Sequence, residues 1–287
     1  MNSYFFLKFK GSFTLIRPIN CFMIGFAVIA GQYIALGMLP NFNNAVLGFF
    51  SAAFLMASTM SMNDYYDLEI DKINCPKRPI PSGIITPKEA ILISIISGLI
   101  GIITAALINM HSLAVASFAL ILMLYYNTRG KKTGLFGNIL VSICIGLPFI
   151  FGGAAVGRVT YLLLLFSLMA FISNLGREVT KGIMDLEGDR LKKIKTIAVM
   201  HGPRKASIVA TMLYIIAVGV SFVPPILGMV SRAYIPFVLV SDIGFVSSSV
   251  SLTRKYDMEY AEQTKRRVLI WMFFGLLAFI AGSIYIK

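Results

Sequence analysis

Nine apolar runs, each about as long as a bilayer core is thick, follow one another along this chain, at about 13–36, 43–62, 87–109, 112–128, 138–156, 160–176, 206–228, 233–253 and 267–286. A helix needs roughly 20 apolar residues to cross hydrocarbon, whereas a barrel strand needs about half that and alternates in polarity. No such alternation is present. Backbone N–H and C=O groups find no water inside a membrane, so runs of this length can only be helices that satisfy themselves. The expected fold class is an all-α integral membrane protein, one domain over 1–287, with nine transmembrane helices in a bundle. Composition agrees, with 57% hydrophobic and 14% charged residues against about a quarter charged in soluble domains. The first run is too long for the apolar core of a secretory signal and reads as a retained span. Cys21, Cys75 and Cys144 form no CxxC pair, which argues against a disulfide framework or a zinc site.

The formal net charge of +13 invites a nucleic-acid reading, but the placement of the bases argues for a membrane one. Lys and Arg crowd the N-terminal segment and every second connection, while the opposite face keeps only Arg158, Arg232 and Lys287. By the positive-inside rule the N-terminus is cytoplasmic and the C-terminus lies outside. The same asymmetry makes the two long connections, about 63–86 and 177–205, cytoplasmic. Long loops gathered on one face of a bundle are usually functional.

Those two connections hold most of the acids. The chain has 13 Asp and Glu in all, and Asp64, Asp67, Glu69 and Asp71 fall within "NDYYDLEID" at the end of the second run. "DLEIDK" from Asp67 is echoed by "DLEGDR" from Asp185, and the same offset maps Asp71 onto Asp189 and Lys77 onto Lys195. This suggests an internal repeat of about four helices, each unit ending in an acidic cytoplasmic motif, with matching sites across a central cavity.

On a helix, Asn63, Asp67 and Asp71 share one broad face over roughly 12 Å. That is too long for a single ion, but it suits two hard cations, or one cation with a diphosphate-sized ligand. Asp185 and Asp189 repeat the pair. Oxygen donors without His or Cys favour Mg²⁺ or Ca²⁺, and Mg²⁺ completes its shell with waters and substrate phosphates. Lys72, Lys77 and Arg78 beside the first motif, and Lys181, Arg190 and Lys195 beside the second, supply cations for phosphate. A metal–diphosphate site at the rim of a lipid-accessible cavity suits an isoprenoid diphosphate, its head at the cytoplasmic edge and its tail among apolar helices. Solvated helix ends with i,i+4 ion pairs are the plainer alternative for either motif alone.

"NDYYDLEID" with "NCPKRPIPSG" resembles the first signature of the UbiA superfamily of intramembrane prenyltransferases, and "KGIMDLEGD" resembles its second. Within that superfamily, "LYYNTRGKKTGLFGN" and "EVTKGIMDLEGDR" look most like the archaeal digeranylgeranylglyceryl phosphate synthases. The resemblance implies Mg²⁺-dependent transfer of a geranylgeranyl group from its diphosphate to the sn-2 hydroxyl of geranylgeranylglyceryl phosphate. An aromatic or porphyrin acceptor is the alternative within the superfamily. It also implies that Asn63, Asp67, Asp71, Asp185 and Asp189 are catalytic and ligate two Mg²⁺ ions. Arg78, Lys131 and Lys181 become diphosphate contacts, with Lys72 and Lys77 nearby. Tyr126 and Asn127 stand where relatives often carry Tyr-Ser near the reacting carbon, so the Asn is a departure. Asp64 ranks below the ligands, and Glu69 points away from the working face.

Arg17, at the cytoplasmic end of the first run, is a candidate for an acceptor phosphate or a snorkelling anchor. Asp242, deep in the eighth run, either faces the cavity or bonds to a neighbouring helix. A cation or anion transporter is the rival class, but it would need polar residues through several spans, whereas here they crowd one end.

Overall fold

The computed structural model describes residues 2–191 and 193–284, so Lys192, the last residues of the ninth run and Lys287 lie outside the described residues. The fold is all helical among the described residues. Helices α1 (Asn2–Ile16) and α2 (Pro18–Leu36) are followed by α3 (Phe42–Tyr66), α4 (Leu68–Asn74), α5 (Pro87–Ile108), α6 (Met110–Thr128) and α7 (Leu135–Ala155). The second half holds α8 (Tyr161–Met184), α9 (Leu186–Leu191), α10 (Ile197–His201), α11 (Pro203–Ser221), α12 (Val223–Ile226), α13 (Tyr234–Arg254) and α14 (Met258–Gly282). Eight of the described helices, α2, α3, α5, α6, α7, α8, α13 and the α11–α12 run, are long and apolar enough to cross a membrane. The chain is thus a multi-span membrane bundle.

Several expected boundaries move, each for a local reason. The first run is not one helix: Arg17 adopts a left-handed conformation (φ 51°, ψ 72°) just before Pro18, dividing α1 from α2. The residue before a proline is disfavoured in the right-handed helical region. The sixth run continues as helix to Met184, because hydropathy ends at the membrane edge while backbone hydrogen bonding need not. The ninth begins early, at Met258, where the Asp257 side chain accepts from the Tyr260 N–H at 2.9 Å as an N-cap. Lys265, Arg266 and Arg267 fall in the middle of α14, leaving it less apolar than the other eight despite its 25 residues.

The first half of the bundle pairs α3 with α5 and α2, the second pairs α8 with α11 and α13 with α14, and α7 joins α2 to α8. Apolar clusters fill these seams, one around Phe149, Phe166 and Phe279 and another around Tyr214, Phe245 and Val268. The α2–α7 crossing depends on small residues. A Cβ on Gly152 would lie 2.4 Å from the Val28 carbonyl oxygen, and one on Gly31 2.6 Å from that of Phe149. Lipid tails are as apolar as the helices, so close van der Waals approach rather than water exclusion holds such a pair.

Asp242 is tied to its neighbours. It is buried and accepts from Ser221 Oγ at 2.8 Å, while the Tyr234 hydroxyl donates to the Ser221 carbonyl at 2.8 Å. Ser221 ends α11, about 27 Å along that helix from Pro203, where the chain arrives from the second acidic motif. Of the two roles open to it, bonding to a neighbouring helix is the one observed. At the other end, α1 turns Phe6, Phe9 and Phe13 outward and docks on α5 through Lys8, whose Nζ donates to Glu89 Oε1 and Oε2 at 2.7 and 2.6 Å.

Gly152→Ala is expected to destabilise the detergent-solubilised protein by about 1–3 kcal/mol, because the new methyl meets backbone and no rotamer can move aside. Gly219→Ala, which meets nothing within 4 Å, should be neutral or slightly stabilising. Thermal unfolding of the two variants checks this; equal midpoints would contradict the close-approach account.

Candidate active site

Both acidic motifs lie where a membrane helix hands over to a short one. Asp67 caps α3 and starts α4, and Asp185 caps α8 before α9. The i→i−4 hydrogen bonds run through each joint: Asp67 N–H to Asn63 O at 3.0 Å and Asp71 N–H to Asp67 O at 2.8 Å, Asp185 N–H to Lys181 O and Asp189 N–H to Asp185 O at 2.9 Å. The helix expected to carry Asn63, Asp67 and Asp71 is interrupted only at Asp67, whose backbone stays right-handed (φ −88°, ψ −1°), so the succession of the three side chains is kept.

Each carboxylate of the first motif has a basic partner. Asp67 accepts from Lys131 Nζ, at 2.5 Å to Oδ1, and from Asn63 Nδ2 at 3.1 Å. Asp71 pairs with Arg78, and Asp64 accepts from Arg17 Nη2 at 2.6 Å with Arg78 Nη1 3.8 Å from the same oxygen. All three carboxylates are buried. Burial works against the charge on Arg78, but the bond from Asp71 and the nearby Asp64 outweigh it and hold its guanidinium above the usual arginine value. The strained backbone at Arg17, worth of order 1–3 kcal/mol, persists beside this pairing.

Lys131 comes from the 3₁₀ turn Gly130–Lys132 between α6 and α7. That turn is placed by Gly134, whose φ of 66° and close approach to the second connection both require glycine: a Cβ there would lie 1.9 Å from the Lys195 carbonyl oxygen. The base that meets the first motif is in this way packed against the chain that follows the second. Tyr126, near the end of α6, sets its ring against the same turn: a Cβ on Gly130 would lie 3.4 Å from Tyr126 Cδ2.

Asp185 and Asp189 are half-buried and line a cavity of about 620 Å³ with Ile183, Pro203, Tyr256 and Asp257. None of the described first-motif residues lines it. No three acidic, His or Cys side chains converge as a ready metal cluster among the described residues. The donors nonetheless suit Mg²⁺, which takes one or two carboxylates and fills its shell with waters and phosphate oxygens; an all-protein cage is not needed.

The remaining predicted residues are spread unevenly. Lys181 lies 3.7 Å from Glu178 Oε2 on α8. Asn127 is buried, donates to the Thr59 carbonyl at 3.4 Å, and keeps an unpartnered Oδ1. Lys72 pairs at 2.7 Å with Glu69, a solvated pair outside the buried network, and Lys77 is exposed. Glu178 is the site-facing acid that the sequence reading passed over; its side chain is 11% exposed and pairs with Arg177 at 3.1 Å. Its signal was available: Asn174, Glu178, Lys181 and Asp185 recur at the helical period, which shows only once α8 is known to continue past the membrane edge. From Thr59 and Met60, one turn above Asn63, a second and apolar cavity of about 210 Å³ runs between α2, α3, α6 and α7 past Ala52, Met123 and Phe151.

Residues 24–282 match the model of the UbiA prenyltransferase family. The digeranylgeranylglyceryl phosphate synthase of Methanopyrus kandleri is 36% identical over 269 residues, covering 93% of this chain and 97% of that one. The solved structure of a digeranylgeranylglyceryl phosphate synthase superposes with a TM-score of 0.86 at 32% identity, over 96% of this chain and 99% of the other. A UbiA homologue from Archaeoglobus fulgidus, solved with GPP and Mg²⁺, shares the fold at a TM-score of 0.68 and 21% identity, over 94% and 99% of the two chains. With its family signature running through nearly the whole helical bundle, this chain belongs to the UbiA prenyltransferase family.

Proposed function

We propose that this enzyme transfers a geranylgeranyl group from its diphosphate to the free hydroxyl of geranylgeranylglyceryl phosphate, in archaeal ether-lipid synthesis. The observation that carries this reading is the paired acidic joints with basic side chains beside them, the first of them one helical turn from the start of an apolar cavity. The 36% identity to the Methanopyrus kandleri synthase over nearly its whole length supports the acceptor class. α14 is the ninth span in this reading, the N-terminus and the motifs are cytoplasmic, and the C-terminus is outside. The matching handovers at Asp67 and Asp185 support a duplicated four-helix unit.

Asn63, Asp67 and Asp71 on one side and Asp185 and Asp189 on the other would hold Mg²⁺. When bound, Mg²⁺ supplies neutralisation of the charge that builds on the leaving diphosphate. Lys131, Arg78 and Lys181 bind the diphosphate oxygens directly and orient the allylic carbon. The prenyl tail occupies the apolar cavity, whose walls exclude water from the carbon as the C–O bond breaks. Asn127, which bonds to the backbone of the cavity-lining Thr59, and its neighbour Tyr126 position the reacting carbon. The acceptor hydroxyl attacks that carbon, and its proton passes to the released diphosphate, so no dedicated base is required.

Asp67→Ala and Asp185→Ala should each lower turnover by at least about 10²–10³-fold with the bundle still folded. Chelation should abolish activity and added Mg²⁺ restore it. The assay is mass spectrometry of products from purified protein offered prenyl diphosphates of several lengths and glycerol-phosphate, aromatic and porphyrin acceptors. Product on an aromatic ring alone would sink the acceptor assignment, and near-wild-type turnover of either variant at saturating Mg²⁺ would sink the ligand assignment.

Ala52 tests the tail cavity. Ala52→Phe fills its wall and should cut kcat/KM for the C20 donor by about tenfold or more while sparing a C10 donor. Equal losses for both donors would place the tail elsewhere.

A further inference from the structure

The first motif contains an acid that the metal assignment does not use. Asp64 directly follows Asn63 and precedes Asp71 by seven residues, which puts it about 20° from Asp71 around the helix and two turns back along it. Its side chain is only 4% exposed, whereas those of Arg17 and Arg78 are 33% and 34% exposed. Both guanidiniums converge on the same oxygen, Asp64 Oδ1, at 2.6 and 3.8 Å. The carboxylate therefore sits behind the two bases, and the bases present the accessible surface.

We propose that Asp64 is a positioning residue that sets Arg17 and Arg78 side by side as a seat for the phosphate monoester of the acceptor lipid. Each guanidinium carries five N–H donors in a planar fork. Two guanidinium nitrogens gathered around one oxygen are near enough for one phosphate to accept from both, through bonds of about 2.7–2.9 Å. The two guanidiniums face two carboxylates, Asp64 and Asp71, so the phosphate is recognised by their N–H donors rather than by net charge. Arg78 is also assigned to the donor diphosphate, so the seat adjoins the donor and Arg17 is the base that serves the acceptor alone. Arg17 has no part in the donor assignment and stands at the α1–α2 joint, where the bond to Asp64 holds its guanidinium. An anchor that only held the helix joint together would not require a second guanidinium on the same oxygen.

The inference rests on the phosphorylated-lipid acceptor proposed above, and the two can be tested apart. Binding of geranylgeranylglyceryl phosphate and of phosphate-free geranylgeranylglycerol is measured by titration calorimetry on the purified full chain in detergent. The chains compared are wild type, Asp64→Asn, Arg17→Gln and the double variant. Asp64→Asn and Arg17→Gln should each weaken the phosphorylated lipid by about tenfold or more and change the alcohol by less than about twofold. The double variant should lose less than the two single losses combined, because Asp64 acts in part through Arg17.

An undiminished preference for the phosphorylated lipid in Asp64→Asn would overturn the proposal. So would equal losses for both lipids, fully additive losses, or a wild type with no such preference. If Asp64→Asn does not survive purification, Arg17→Gln decides: selective loss of the phosphorylated lipid supports the seat, and unchanged affinity overturns it. Should wild type bind the phosphorylated lipid yet transfer no prenyl group to it, the catalytic reading fails while the seat stands. Donor affinity, measured with inorganic diphosphate and Mg²⁺, should change by less than about threefold in Arg17→Gln, and a larger loss would assign Arg17 to the donor instead.

Discussion

A buried carboxylate at the edge of a membrane needs a cation, and that requirement organises one whole end of this bundle. Asp64, Asp67 and Asp71 leave the end of α3 within two helical turns, and none has bulk water around it. Their partners arrive from three separate places: Arg17 from the joint between α1 and α2, Arg78 from the loop after α4, and Lys131 from the turn between α6 and α7. Each pair fixes a connection that would otherwise be free to move. The loop holding Arg78 gains further order from the capping box at Thr86 and Glu89, and Lys8 reaches the same glutamate to bring α1 down onto α5. Truncating one partner of such a pair leaves the other charge buried and uncompensated, so its effect would spread along the loop that carries it.

The membrane spans were legible because hydrocarbon leaves a chain few choices. Where the apolar runs stopped, that constraint stopped as well, and there the sequence was harder to read. Arg177 to Met184 look like loop by hydropathy, yet α8 continues through them and pairs Glu178 with Arg177 and Lys181 just before Asp185. The run containing Arg17 reads as unbroken by hydropathy, although its place before Pro18 disfavours helix there and the left-handed residue follows that local rule. Lys265 to Arg267 set a start for the last helix that the Asp257 cap moves earlier. The spacing of Asn63, Asp67 and Asp71 revealed the motif but not the break at Asp67, since the same four-residue interval fits one straight helix or two jointed ones. The base pairings were beyond reach for a different reason: Lys131 lies 64 residues from Asp67, and only folding decides which of many bases takes which acid.

The placement of the charged groups divides the labour of the bundle. Apolar contact, small-residue crossings and the Asp242–Ser221–Tyr234 knot hold the spans together away from the motifs. Arg17, Arg78 and Lys131 sit at joints, loops and turns rather than within the spans. Their geometry is therefore set by the ends of the helices, while helix packing is set elsewhere. A change of base at one of these positions alters which anion the rim can hold without asking the membrane helices to repack. Gly134 marks a place where the two tasks meet: its left-handed turn both presents Lys131 to Asp67 and lies against the backbone of Lys195, so the position of a single base is tied to the packing of one half of the bundle on the other.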